Sequence, residues 1–413
     1  MNRLSRWAWI AVGLLWVSAL LNYLDRLAIT TMRESVIASV PMTEAQFGLL
    51  TSIFLWVYGI VSPTCGFLAD RFSRNRVIFV SLLVWSGVTW LTGQAQTLEQ
   101  LLWARAALGI SQACYLPAAL ALIADHHRGA TRSFATALHG TGIYAGGALG
   151  GVGGYLADMM GWRAGFTLLG AVGAVYALVI LVFLRNADTD SAAATPASPE
   201  SKVSPMLALR ALFQRPAFYA ILLVNSLVGV VNWTIYGWLP TFFQERFNLE
   251  QGESGFAATG TLQVTSFAGI MVGGLIADAW SRRTSRARIL MPGIAYLAAA
   301  PGLLLLALSD SLGSALAGLT AYGIARGFYD ANLMPIVRQI VDERFSATAF
   351  GFLNFISCMT GGVMTYVGGA LRDAQLSLAI AIEICAAGIL ISGVLLFLIK
   401  PRHPRTDGAG AAA

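Results

Sequence analysis

Six ionisable residues stand inside long apolar runs of the sequence: Asp25, Arg26, Arg105, Arg326, Asp330 and Glu383. A charge at mid-bilayer costs kilocalories, so each such position asks for a function or for a partner. Asp25 and Arg26 are consecutive, about 100° apart on a helix, and cannot neutralise each other face to face. A carboxyl removed from water can take up a proton near neutral pH, the chemistry that a proton-coupled carrier requires. The structural alternative for Asp25 is a carboxylate hydrogen-bonded to a neighbouring helix. Arg26 keeps its charge and presents a planar fork that matches a carboxylate, or else it snorkels toward the outer interface. Arg326 and Asp330 are one turn apart on one face, the spacing of an internal ion pair. Protonating Asp330 would then release Arg326 to an anion. Gln112 follows Arg105 two turns along one face, 13 residues before Asp125, much as Asp330 lies 12 before Asp342. Glu383 reads as a packing or lipid-facing residue.

Such residues need membrane helices to carry them, and the composition supplies these. Among 413 residues, 12% are charged and 56% hydrophobic, with a mean hydropathy of +0.67. Soluble chains run at roughly 25% charged, so soluble domains, a disordered chain and a secreted disulfide scaffold are all excluded. A spanning helix takes about 20 mostly apolar residues. Twelve stretches qualify: 7–32, 44–69, 76–94, 99–124, 130–157, 163–185, 217–243, 255–279, 287–308, 312–338, 346–371 and 376–399. The N-terminal run continues through Asn22-Tyr23-Leu24-Asp25-Arg26 without a small-residue cleavage site, which reads as a retained first helix. The Ser/Ala/Pro-rich segment 186–216 reads as a flexible cytoplasmic linker. It divides the chain into a bundle at 1–185 and a second at 217–399, followed by a cytoplasmic tail, 400–413.

With the N-terminus inside and an even helix number, 20 of the 27 Lys and Arg fall in cytoplasmic segments. Four fall outside (Arg33, Arg163, Arg246 and Arg372), whereas Asp and Glu divide nine and nine. Positive charge alone sets orientation, so both termini are expected in the cytoplasm.

The two bundles echo each other. Gly66-Phe67-Leu68-Ala69-Asp70-Arg71-Phe72-Ser73-Arg74-Asn75-Arg76 recurs as Gly274-Leu275-Ile276-Ala277-Asp278-Ala279-Trp280-Ser281-Arg282-Arg283. Pro117, Asp125, Ala130 and Thr131 recur as Pro335, Asp342, Ala347 and Thr348. Two such halves with a site between them make a transporter architecture. Over essentially its whole length the chain resembles the major facilitator superfamily, on the Gly66–Arg76 loop, on Arg105 with Gly109, and on the glycines from Gly140 to Gly154. Asn22-Tyr23-Leu24-Asp25-Arg26, Gly161-Trp162-Arg163 and Trp238-Leu239-Pro240-Thr241 resemble the anion:cation symporters of organic and sugar acids. The Asn-Tyr-x-Asp-Arg run is also similar to Spinster-like lipid transporters.

The resemblance implies an all-α fold of 12 membrane helices in two pseudo-symmetric bundles, a monomer, and a rocking mechanism. It also implies a conformational latch made by Gly66, Asp70, Arg71, Arg74 and Arg76 with Asp278, Arg282 and Arg283, which holds the outward-open state. Plain positive-inside anchoring would explain the arginines but not Asp70. In both families a glutamate commonly stands where this chain has Gln112, so the proton site here has moved to Asp25 or Asp330, or the amide mimics a protonated acid.

No P-loop, HExxH, GxSxG or paired-cysteine zinc spacing occurs, so the sequence offers no catalytic residues, metal site or cofactor, and it is not read as an enzyme. Cys65, Cys114, Cys358 and Cys385 lie in apolar stretches and read as free thiols. The clustering of positive charge between apolar runs argues against nucleic acid. The expected activity is symport of a small organic anion, a sugar acid or other carboxylate, with a proton across the plasma or inner membrane. Arg26 and Arg105 would hold the anion and Asp25 the proton, with Arg326–Asp330 as the second-half counterpart. Tyr23, Gln112, His139, Tyr144, Asn232, Tyr236, Trp238, Asn332 and Asn354 complete the candidate set, each with an alternative role in joining helices. The alternatives as a whole are a Spinster-like carrier of lysolipids or other amphiphiles, and a non-transporting sensor.

Overall fold

The computed structural model describes residues 3–127, 131–186 and 205–401. These form helices α1 (Arg3–Thr31), α2 (Arg33–Ser39), α3 (Glu44–Arg71), α4 (Arg74–Thr92), α5 (Leu98–Ala113), α6 (Tyr115–His126), α7 (Arg132–Ala148), α8 (Val152–Met160) and α9 (Trp162–Phe183). The second half contains α10 (Pro205–Phe213), α11 (Pro216–Phe247), α12 (Gln251–Gly255), α13 (Thr261–Ser281), α14 (Ala287–Leu308), α15 (Leu312–Ile340), α16 (Ser346–Asp373) and α17 (Leu378–Leu398). No strand occurs among the described residues. Among the described residues, ten helical segments are long and apolar enough to cross a membrane. The glycine-rich α7–α8 pair and α15, which carries Arg326 and Asp330, fall outside that group.

Local sequence sets the helix ends. Thr43 starts α3 with a reciprocal capping box, its hydroxyl taking the Gln46 N–H while the Gln46 side chain takes the Thr43 N–H. Thr97, Ser311 and Ser377 cap α5, α15 and α17 in the simpler one-way form. Three of the long stretches are interrupted: at Cys114 between α5 and α6, by a 3₁₀ turn Leu149–Gly151 between α7 and α8, and by a π-turn Phe256–Gly260 between α12 and α13. Within the segment read as a flexible linker, Pro205–Phe213 is helical, and Phe213 packs on Phe218 and Phe352 at 5.5 and 5.4 Å. Residues 187–204 and 402–413, the remainder of the linker and most of the tail, lie outside the described residues.

Each half buries its apolar interior and leaves Leu, Val, Ile and Trp on its outer wall, with Trp103 78% exposed and Leu275 70% exposed. In a bilayer that wall meets hydrocarbon. Small residues let the helices approach: a Cβ on Gly146 would overlap Leu20 O of α1, and one on Gly151 would lie 2.5 Å from Phe256 N of the other half.

The halves meet along two seams, α3 with α16 and α7–α8 with α12–α13. Their bonds run from the end that carries Glu44, here the Glu44 end, to mid-depth. Ser52 donates to Gly362 O at 2.6 Å and Trp56 to Met359 O at 3.1 Å. At the Glu44 end, Arg372 reaches Glu44 and Glu245, and Arg33 pairs with both of these glutamates as well. Two carboxylates there cap helices of the opposite half. Asp373 accepts from the N–H groups of Glu44 and Ala45 at 2.9 and 3.0 Å, and Asp158 accepts from Gly252 N–H at 2.9 Å and from the Gln251 side chain at 2.9 Å. The arrangement is reciprocal, as expected of a duplicated unit.

Candidate functional site

Asp25, Arg26, Arg105 and Gln112 are all at least 95% buried and occupy the middle of the first half. Because Asp25 and Arg26 are consecutive on α1, they face different neighbours. Asp25 turns toward α4 and α5, where the Thr89 hydroxyl lies 2.7 Å and the Gln112 amide nitrogen 3.3 Å from its Oδ2. Arg26 turns toward α3, with its Cζ 4.5, 4.9 and 4.8 Å from the ring centres of Tyr23, Phe54 and Tyr58. Its Nε donates to Gln112 Oε1 at 3.3 Å and its Nη2 to Asn22 Oδ1 at 3.2 Å. Gln112 therefore joins the carboxylate to the guanidinium through the two ends of one amide. Among the described residues no ion pair involves Asp25, Arg26 or Arg105. The aromatic faces and neutral amides hold Arg26 without cancelling its charge. A small cavity lined by Asn22, Tyr23, Arg26, Tyr58, Gln112 and Tyr115 opens beside it.

Arg105 lies elsewhere than its spacing from Gln112 suggests. Its Nε donates to Leu50 O at 3.2 Å, and its Cζ sits 4.9 Å from the Phe54 ring centre. It supports the ring against which Arg26 stacks. The Nη2 of Arg105, Oδ1 of Asp25 and Nδ2 of Asn22 are buried without a hydrogen-bond partner among the described residues.

The second half builds a different cluster. Arg326 and Asp330 form the ion pair that their spacing predicts, at 3.5 Å. Arg326 also reaches Gln263 Oε1 at 3.2 Å and lies 5.2 Å from the Tyr236 ring centre, while the Tyr236 hydroxyl donates to the same Gln263 oxygen at 3.2 Å. Tyr144 of the first half donates to Asp330 Oδ2 at 3.1 Å, so this carboxylate belongs to the contact between halves.

The other candidates are dispersed. Asn232 accepts from Tyr322 at 2.6 Å, and Asn332 donates to Phe328 O within its own helix at 2.8 Å. Trp238 donates to Thr365 O at 2.8 Å in the α11–α16 contact. His139 is fully buried with Nε2 3.0 Å from the Tyr115 hydroxyl, which itself donates to Leu15 O at 2.6 Å. Asn354 is half-buried on α16, and Glu383 half-buried on α17.

At the end opposite Glu44, Arg74 pairs with Asp125, and Arg288 donates to Asp278 at 2.5 Å, each within its own half. Arg71, Arg76, Arg282 and Arg283 are exposed. The side chain of Asp70 lies outside the described ones, and so do the surroundings of Gly66. Sequence reasoning missed Thr89, Gln263, Asp158 and Asp373. The last two were legible in principle, since they stand 215 residues apart in the two halves, close to the offset between Pro117 and Pro335.

The family model described as Major Facilitator Superfamily matches residues 15–366. Among curated proteins, the chain is 24% identical to a probable L-galactonate transporter of Escherichia coli, covering 98% of this chain and 92% of that one. It is 25% identical to an MFS-type efflux pump of Mycolicibacterium smegmatis, over 97% and 94%. It is 24% identical to a probable sulfoacetate transporter of Cupriavidus necator, over 94% and 93%. Among solved structures, a bacterial homologue of the human lysosomal transporter Spinster, in an inward-facing and occupied conformation, superposes with a TM-score of 0.79 at 20% identity, covering 97% of each chain. At that identity the likeness shows the fold alone.

Proposed function

The chain belongs to the major facilitator superfamily, and from that premise we propose that it is a secondary transporter for a small organic anion, a sugar acid or similar carboxylate, driven by proton symport. Its helices are an integral multi-pass membrane assembly; in our reading twelve spans cross the plasma or inner membrane with both termini in the cytoplasm, and the Glu44 end faces outward. The conformer described here is then shut on the outside.

One observation carries the anion reading: Arg26 is a buried guanidinium with aromatic and amide neighbours but no carboxylate among its described ion pairs. Its Nε and Nη2 are engaged by Gln112 and Asn22, neutral partners that leave the positive charge unbalanced beside the cavity that Arg26 lines. A carboxylate arriving there gains a charge-assisted bond in a medium of low dielectric. Relatives named for L-galactonate and sulfoacetate support the same ligand class.

Gln112 supplies a coupling route. With Asp25 ionised, the amide donates to the carboxylate and its oxygen holds Arg26 Nε. A proton on Asp25 removes the charge from that acceptor and weakens the bond, which lets the amide turn and release Arg26 to the anion. In the second half, a proton on Asp330 weakens both the Arg326 pair and the bond from Tyr144 that joins the halves, so loading is linked to rocking.

Uptake of sugar acids by proteoliposomes under an imposed pH gradient tests this reading. Uphill uptake that Asp25→Asn abolishes, while substrate counterflow persists, is the expected result. Uptake indifferent to the gradient removes the proton from the mechanism, and thermal stabilisation by lysolipids rather than acids moves the substrate class to amphiphiles.

A further inference from the structure

We propose that Cys65 and Cys114 form a redox-reactive dithiol, which lipid-borne hydroperoxides reaching Cys114 from the bilayer close to a disulfide. The two Sγ atoms are 2.6 Å apart although the residues are 49 positions apart in sequence, so the fold already holds the sulfurs side by side. Cys65 is fully buried on α3, just past Pro63, whereas Cys114 is half-buried at the break between α5 and α6. Its thiol lies in an apolar groove with Leu68, Val80, Val84, Ile110 and Ser111. Val80, Val84 and Ile110 are about half exposed and face hydrocarbon in a membrane. A thiol on this wall meets what dissolves in lipid before it meets a water-borne reagent. Cys358 and Cys385 are buried elsewhere, on α16 and α17.

The positions assign the roles. The Cys114 thiolate attacks the terminal peroxide oxygen, the O–O bond breaks, and the lipid alkoxide leaves and takes up a proton. Cys114 becomes the sulfenic acid. The Cys65 sulfur, already in contact, attacks the Cys114 sulfur; the S–S bond forms, the S–O bond breaks, and hydroxide leaves as water with the Cys65 proton. Two thiols and one hydroperoxide give one disulfide, one lipid alcohol and one water. The bond ties α3 to the α5–α6 break inside one half, so it leaves the seams between the halves uncrossed.

The test uses the purified full chain in phosphatidylcholine nanodiscs, with and without the hydroperoxide of that lipid. After denaturation, maleimide-reactive thiols are counted and the peptides mapped. The expected result is a fall from four reactive thiols to two, a cross-linked peptide pair containing Cys65 and Cys114, and full recovery on adding dithiothreitol. In Cys65→Ser, or in Cys65→Ala should that variant fold better, dimedone should trap Cys114 as the sulfenic acid. Cys114→Ser should keep Cys65 reduced. Four thiols persisting in the wild-type chain, a disulfide that includes Cys358 or Cys385, or aqueous hydrogen peroxide acting as fast as the lipid hydroperoxide would each overturn the proposal.

Discussion

Arg26 and Gln112 illustrate how much one side chain decides here. Arg26→Lys keeps a positive charge but loses the Nε donor to Gln112 and the fork. A hydrogen bond to a charged group is worth about 1.5–3 kcal/mol, or roughly 10- to 100-fold in affinity. The half-saturation concentration for the anion should rise by that factor in uptake assays, with the melting temperature little changed. Gln112→Glu sets a second carboxyl where the amide donates to Asp25 Oδ2 at 3.3 Å. Two carboxylates at that separation cannot both stay charged without cost, so the pair must share a proton to keep the geometry. Uptake by the variant should therefore fall more steeply than that of the parent as pH rises; matching profiles would place Gln112 outside the coupling route. The intramembrane charges were legible because they interrupt apolar runs. Their partners were not, since Thr89 and Gln112 meet Asp25 from 64 and 87 residues away, and Arg105 turns to Leu50 rather than along its own helix face.

At the scale of elements, the glycines of α7–α8 separate two kinds of contact. Gly146 faces α1 within its own half, and Gly151 faces Phe256 in the other half. Gly146→Val should destabilise the first bundle itself, by about 1–3 kcal/mol for overpacking, seen as a lower melting temperature. Gly151→Val should leave each bundle intact but hold the Glu44 end apart, so a cysteine placed there should label faster with an impermeant maleimide while the melting temperature stays near the parent's. Helix positions were legible from length and hydropathy. The breaks at Cys114, Leu149–Gly151 and Phe256–Gly260 were not, because neighbouring helices rather than local propensity decide where a hydrogen-bond ladder slips. The helix α10, inside a segment whose composition suggests a linker, is held by Phe213 against Phe218 and Phe352, a contact that composition does not encode.

For the whole molecule, the closed Glu44 end rests on charge. Arg372 joins Glu44 and Glu245 across the halves and is mostly buried, and without it both glutamates are left to Arg33 alone. Arg372→Ala should shift the equilibrium toward the outward-open state by about 1–3 kcal/mol, about tenfold for each 1.4 kcal/mol. Distances between spin labels on α2 and α12 should lengthen accordingly. A conformational state of this kind cannot be read from one sequence. The same residues must serve both states, and the sequence carries no mark of which pairs are made at a given moment.

The exchange of caps at the Glu44 end has an electrostatic consequence. When Asp373 and Asp158 withdraw, the first N–H groups of α3 and α12 lose their carboxylates, and two helix ends with partial positive charge face the water together. Each uncapped helix end thus becomes a local attraction for anions on opening, set among a surplus of acids at this end, and shutting quenches it with the protein's own carboxylates. An anionic substrate would be drawn in by a potential that exists only while the door stands open. Its capture rate should fall as ionic strength rises, whereas the rate of counterflow at saturating anion should hardly respond.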